Sequence, residues 1–320
     1  SKTFFLSAGI SALAGYETVN GGKKLLFIFN PHSGRERIRG SLTDIVDVMC
    51  KRGYEVSIYA TQCQGDAEVK ALAEGGDKDL LVCSGGDGTL DEVVSGLMRG
   101  GHQVPVGYIP AGTSNDFAAS LQLSQDMVEN ARIAVTGRPF ACDIGKFNDG
   151  YFVYVAAFGL FTEASYQTSQ EMKNIFGHAA YVLEGMRQMV DVPSYFVQVE
   201  YDGNRIFDEF IYGMVTNSIS IGGFRGLING PVDLDDGEFE VVLVRRPRHP
   251  RELNEIISYL TGRVKQSHMI YAFKSSRIRF SCGQPISWTL DGEFGGQFKE
   301  SVVENLPRSL QIMLREKSSG

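Results

Sequence analysis

Four short apolar runs mark the first half of the chain: Lys24–Phe29, Glu55–Ala60, Leu80–Cys83 and Val106–Ile109. Between them the apolar residues recur at helical spacing, as in Leu42, Ile45, Val46 and Met49, in Asp66–Ala73, and in Val93, Val94 and Leu97. Strand and helix taking turns leaves few folds open. It predicts a parallel sheet, doubly wound, with helices on both faces. A further helix, from Ser124 to about Val135, closes this part, with Ser124 and Met127-Val128 as its capped, amphipathic start.

From Phe140 the pattern changes to strand-like runs: Phe140–Phe147, Tyr151–Ala157, Phe196–Tyr201, Phe207–Thr216, Phe239–Val244, Met269–Phe273 and Ile278–Phe280. Helical segments at Ala179–Val190 and Arg251–Leu260 interrupt them. Turns such as Asn148-Asp149-Gly150 and Asp202-Gly203-Asn204 suit antiparallel connections. The fold class expected is therefore α/β, with an N-terminal doubly wound parallel-sheet domain (22–138) and a C-terminal β-rich, antiparallel sandwich-like domain (139–304). Residues 1–21 read as a lead-in outside the fold, since their weak likeness to a signal peptide lacks sustained hydrophobicity.

Three of the early strands end in polar, glycine-rich loops. Asn30-Pro31-His32-Ser33-Gly34-Arg35 follows the first, and Ser84-Gly85-Gly86-Asp87-Gly88-Thr89-Leu90 follows the third. Pro110-Ala111-Gly112-Thr113-Ser114-Asn115-Asp116-Phe117-Ala118 follows the fourth. In open α/β sheets ligands bind outside the carboxyl ends of the strands, so the three loops converge. Glycines let backbone come close to a bulky ligand, and a helix starting near Gly88 offers its N–H groups and dipole to an anion. That is a phosphate cradle. The acid inside it, Asp87, suits a magnesium-bound polyphosphate, because magnesium takes oxygen ligands and keeps several waters. The plainer role for Asp87 is to cap the helix that follows, and for Asn115 and Asp116 to be an N-cap pair.

In this order Asn-Pro-x-Ser-Gly, Gly-Gly-Asp-Gly-Thr and Gly-Thr-x-Asn-Asp-Phe-Ala resemble the motifs of the diacylglycerol kinase catalytic family, relatives of sphingosine and ceramide kinases. The resemblance runs from about Lys24 almost to the C-terminus. It implies an active site in the cleft between the domains, with residues 305–320, including the strand Ser309–Leu314, returning to the first domain. It implies ATP contacts from Asn30, Pro31, His32, Ser33 and Gly34, from Gly86, Asp87, Gly88, Thr89, Leu90, Asp91 and Glu92, and from Thr113. Thr61 matches a further nucleotide position, in a Thr-x-x-x-Gly-Asp-Ala pattern completed by Gly65, Asp66 and Ala67. Leu290-Asp291-Gly292-Glu293 is by itself a turn after an apolar run. The resemblance makes Glu293 the general base that takes the lipid hydroxyl proton as that oxygen attacks the γ-phosphoryl group.

The acidic turn Asp233-Leu234-Asp235-Asp236-Gly237-Glu238 has the composition of an ordinary β-turn. By resemblance it holds a structural magnesium ion through the Asp236 side chain and the main chain of Asp233 and Glu238, apart from the ATP phosphates. Arg35 is a candidate to neutralise phosphate charge, and Lys173 to face the cleft. Arg245-Arg246-Pro247-Arg248-His249-Pro250-Arg251, the densest cationic run, reads equally as a charged loop or as a patch for anionic lipid. The five histidines lack metal-ligand or triad spacing and receive no catalytic role.

Composition narrows the partners. A net charge of -7 argues against nucleic-acid binding, which needs a clustered basic surface. The five cysteines are scattered and odd in number, which suits reduced, unpaired thiols and a cytoplasmic chain, with Cys83 a core residue. The longest apolar stretch, Tyr151–Phe161, falls short of the roughly 18 residues of a membrane span. The expected function is an ATP- and magnesium-dependent lipid kinase meeting its substrate at a membrane surface, with a homodimer left open. Two alternatives stand beside it. One is an NAD kinase-like enzyme, since that family shares Gly-Gly-Asp-Gly-Thr; the other is a non-catalytic nucleotide or lipid sensor.

Overall fold

A computed structural model describes residues 22–112, 115–160, 193–217, 235–260 and 263–316. The first domain alternates as expected: β1 (Lys23–Phe29), α1 (Ile38–Lys51), β2 (Tyr54–Ala60), α2 (Asp66–Glu74), β3 (Leu80–Gly85), α3 (Asp87–Gly100) and β4 (Val106–Pro110). Two helices follow, α4 (Asp116–Ser120) and α5 (Met127–Thr136). β1 pairs in parallel with both β2 and β3, and β3 with β4, in the order β2-β1-β3-β4. Strand order reverses beside β1, at the switch point where such sheets bind ligands.

The apolar runs of β1 and β3 are buried on both faces, as parallel strands are. Leu26, Ile28, Leu81 and Cys83 pack with Ala67 and Ala71 of α2 and Leu90, Val93 and Leu97 of α3. Leu25, Phe27 and Val82 point the other way, onto Ile45 and Met49 of α1 and Ala131 and Ala134 of α5. Burial pushes the Cys83 thiol well up, so it is an inert core residue. The start of α5 differs from the sequence expectation. Asp126 is its cap, accepting from the N–H groups of Val128 and Glu129, while Ser124 Oγ accepts from Asp126 N.

The second domain comprises β5 (Arg138–Phe147), β6 (Gly150–Phe152), β7 (Val155–Gly159), β8 (Tyr195–Tyr201), β9 (Asn204–Thr216), β10 (Phe239–Arg245), α6 (Pro250–Leu260), β11 (Ile270–Ser275), β12 (Arg277–Leu290) and β13 (Glu293–Leu314). Its pairings are antiparallel. Trp288 is fully buried at the centre of its core, with the rings of Phe147 and Phe158 each 4.9 Å away and Phe280 at 5.1 Å. The expected helix Ala179–Val190 lies outside the described residues.

Two strand assignments are corrected. The run Tyr151–Ala157, expected as one strand, is broken at Val153-Tyr154 into β6 and β7. There the N–H groups of Val153, Tyr154 and Val155 donate to the Asp291 carboxylate instead of a sheet partner. The short C-terminal runs are pieces of long strands. β13 is 22 residues, pairs with β12 and β5, shifts register with β5 between Leu306 and Leu310, and reaches β4 through the Ile312–Val106 pairing. One strand thus belongs to both domains.

Candidate active site

The loops after β1, β3 and β4 lock onto one another through backbone. Asn30 N donates to Ser84 O at 2.9 Å and Ala111 N to Gly85 O at 2.8 Å, and the Asn30 side chain accepts from His32 N at 2.9 Å. Gly34 has φ +56°, and a Cβ there would stand 1.6 Å from the Ala111 carbonyl oxygen, so only glycine lets these loops meet. Likewise a Cβ on Gly112 would lie 2.7 Å from Gly86 Cα. Asn115, expected as a cap, is left-handed (φ 47°) and makes no capping bond; its Nδ2 donates to Gly112 O at 2.7 Å.

Gly86 occupies the N-cap position of α3, and Asp87 is the first helical residue. The N-cap residue is a glycine and makes no side-chain cap bond, and the positive end of the helix dipole lies at these loops. Tyr108 Oη donates to Asp87 Oδ1 at 3.2 Å. Thr61, at the end of β2, is held by its N–H to Phe29 O at 3.0 Å.

Glu293 arrives from the other domain. It opens β13 after the turn Asp291-Gly292, whose φ values are +51° and +86°. An ideal Cβ at Gly88 would lie 3.5 Å from Glu293 Oε1, so the carboxylate faces the start of α3. Between the domains lies a cleft of about 660 Å³ whose lining includes Asn30, Ser33, Thr61, Gly86, Thr89 and Glu293. Its size suits a nucleotide-scale ligand.

Not every expected contact points into the cleft. The Leu90 side chain is buried in the core, which leaves only its backbone for a ligand. Both Glu92 oxygens are taken by the start of α2, from Gly65 N at 2.8 Å and Ala67 N at 3.2 Å; burial raises this carboxyl against the pull of those two bonds. Glu92 therefore organises the Gly65-Asp66-Ala67 turn, while Asp66 accepts from Gln62 N and Tyr59 Oη. Asp91 is only partly buried and lines the cleft, where desolvation and then the nearby Asp291 charge raise its carboxyl. Thr113, Asp233 and Lys173, with the side chains of Arg35 and Asp116, lie outside the described residues.

Near the expected structural ion, Asp236 Oδ2 pairs with Lys274 Nζ at 2.9 Å and its Oδ1 accepts from Glu238 N at 3.0 Å. Among the described residues no three His, Cys, Asp or Glu side chains converge as a metal site. The expected set is the Asp236 side chain with the main chain of Asp233 and Glu238, and Asp233 lies outside the described residues. At the glycine loop the Asp87 carboxylate, whose Oδ1 accepts from Tyr108 Oη, is a single oxygen donor group, and a magnesium ion there would need phosphate and water oxygens to complete its shell. The cationic run is largely internally paired: Arg245 with Asp208 at 2.7 Å, Arg246 with Glu209 at 2.8 Å, and Arg248 with Glu209 at 3.8 Å.

Sequence reasoning missed Asp143 and Asp291. Asp143 is buried and accepts from Gly237 N, Asn305 Nδ2 and Arg308 N, tying the acidic turn to β5 and β13. A charged residue inside the apolar run Cys142-Asp143-Ile144 was the available signal, because an acid there must be fully bonded. For Asp291 the chain offered no sign, since its donors lie far away in sequence.

Residues 24–147 match the diacylglycerol kinase catalytic domain, and residues 155–314 the YegS C-terminal NAD kinase beta sandwich-like domain. Curated diacylglycerol kinases align over nearly the whole chain. That of Staphylococcus carnosus (strain TM300) is 34% identical over 91% of this chain and 94% of its own length, and that of Bacillus subtilis (strain 168) is 33% identical over 91% and 96%. A solved structure of a Bacillus anthracis str. Sterne protein assigned as a diacylglycerol kinase superposes with a TM-score of 0.77 at 26% identity, covering 92% of this chain and 95% of the other. The chain belongs to the diacylglycerol kinase family.

Proposed function

We propose that this chain transfers the γ-phosphoryl group of ATP to the hydroxyl of diacylglycerol or a closely related lipid, with Glu293 as general base. The observation that carries the reading is the meeting of two halves in one cleft. Asn30, His32, Ser33, Thr61, Gly86, Gly88 and Thr89 come from one domain and the Glu293 carboxylate from the other. Backbone N–H groups at the loops and the start of α3 would hold phosphate oxygens, and the glycines would let them come close. Glu293 would accept the hydroxyl proton as the O–P bond forms and the bond to ADP breaks. Magnesium bound with the nucleotide would neutralise phosphate charge, with Asp87 holding it directly or through water. A structural magnesium ion held by the Asp236 side chain and the main chain of Asp233 and Glu238 would shape the second domain, apart from the ATP phosphates.

Magnesium-ATP offered with a panel of lipids in mixed micelles, and separately with NAD, tests this. Wild type is expected to phosphorylate a lipid, and Glu293→Gln to lose about a thousandfold or more of kcat while still binding ATP. Transfer to NAD alone would remove the lipid reading. ATP binding with no transfer to any acceptor would mark a sensor.

A further inference from the structure

The turn that carries Glu293 continues into Phe294-Gly295-Gly296, a run that none of the nucleotide contacts uses. Leu290 pairs with Glu293 and Thr289 with Phe294, but Trp288 pairs with Gly296, so Gly295 is an extra residue on β13. That is a β-bulge, which bends one strand and re-aims the side chains beside it. Both glycines are needed. A Cβ on Gly295 would lie 2.6 Å from Leu290 Cγ, and Gly296 has φ +107°, a conformation that side chains rarely adopt.

The bulge decides where Phe294 goes. Consecutive residues of a regular strand face opposite sides, yet Glu293 and Phe294 both line the cleft. Leu290 and Phe294 are the two large apolar side chains among its described lining residues. The others are polar or acidic side chains, glycines and Cys63, so the first domain's half of the cleft offers no comparable apolar surface. The Phe294 ring is 61% exposed and thus free to meet a ligand. Single exposed apolar side chains are ordinary on a surface. Position, beside the candidate base and inside a cleft, is what sets this one apart.

We propose that Phe294 is a specificity residue for the acceptor, its ring and Leu290 taking the apolar segment next to the hydroxyl that Glu293 deprotonates. This deepens the proposed function and rests on Glu293 as the base. A general base must come within about 3 Å of the hydroxyl it serves. The neighbouring residue, whose Cα is about 3.8 Å further along the chain, then stands beside the first carbons of the acceptor. A lipid covers the two apolar side chains. A polar acceptor such as NAD leaves them in water, which favours the lipid.

Kinetics and a contact probe test the assignment. Phe294→Ala should raise the KM for a short-chain diacylglycerol about tenfold or more, with the KM for ATP within about twofold. Phe294→Leu, which keeps apolar bulk, should recover most of the loss. A rise confined to the KM for ATP would overturn the proposal, because the ring would then serve the nucleotide. So would an unchanged KM for both. Phe294→Trp reads the contact without turnover: a brominated diacylglycerol in mixed micelles should quench the added indole emission, while Trp288, fully buried, stays unquenched as the reference. Absence of that quenching, or equal quenching by brominated detergent alone, would overturn the assignment. Quenching without transfer to any lipid would uphold the contact and count against the kinase reading alone.

Discussion

At the scale of single residues the site is made by exclusion as much as by donors. Gly34 is the clearest case, because the loop after β1 touches the Ala111 carbonyl where any side chain would begin. Gly34→Ala combines a left-handed φ, costing about 1–2 kcal/mol, with a backbone collision. It should lower stability by more than about 2 kcal/mol and weaken ATP binding at least about tenfold, read by denaturant melts and calorimetry. Wild-type affinity in that variant would mean the loops are not held in this contact. Thiol chemistry gives a second check. Cys50 and Cys63 are exposed and should react with a thiol reagent in the native state, whereas Cys83 and Cys142 are buried and should react only after unfolding.

Elements obey local rules where solvent is on one side and depart from them at the domain junction. α5 takes its start from Asp126, one residue before the apolar face begins, since an Asp side chain there reaches two free N–H groups at once. Asp126→Ala should cost about 1 kcal/mol, and Ser124→Ala less, in denaturant midpoint at unchanged slope. Equal losses would make Ser124 a partner in the cap. β6 and β7 show the opposite situation. Tyr151–Ala157 has strand composition throughout, yet three consecutive N–H groups leave the ladder for one distant carboxylate. A bound, buried carboxylate outweighs local β-propensity, which spans only about 1 kcal/mol.

Across the whole molecule, β13 makes two domains into one cooperative body. It pairs with β12 in the second core and with β4 in the first, and one apolar cluster runs from Leu26 and Leu81 through Ile144 to Ile211 and Ile256. Trp288, the single tryptophan, reports on the second core, while far-UV circular dichroism follows both. The two transitions should coincide in urea; a separation would show that β13 does not couple the cores. The parallel half, the antiparallel half and the three glycine-rich loops were legible in the chain, because periodicity and glycine placement act over a few residues and are written there directly. The motifs also pointed to Glu293. What only the tertiary structure decided is where the acids go: Glu92 to the start of α2, Asp143 to the acidic turn, and Asp291 to the N–H groups of Val153, Tyr154 and Val155. A buried carboxyl takes its role from whichever donors and charges the fold brings to it. Acidic residues alike in the sequence therefore became a clamp on a helix start, an anchor for a turn and a candidate base.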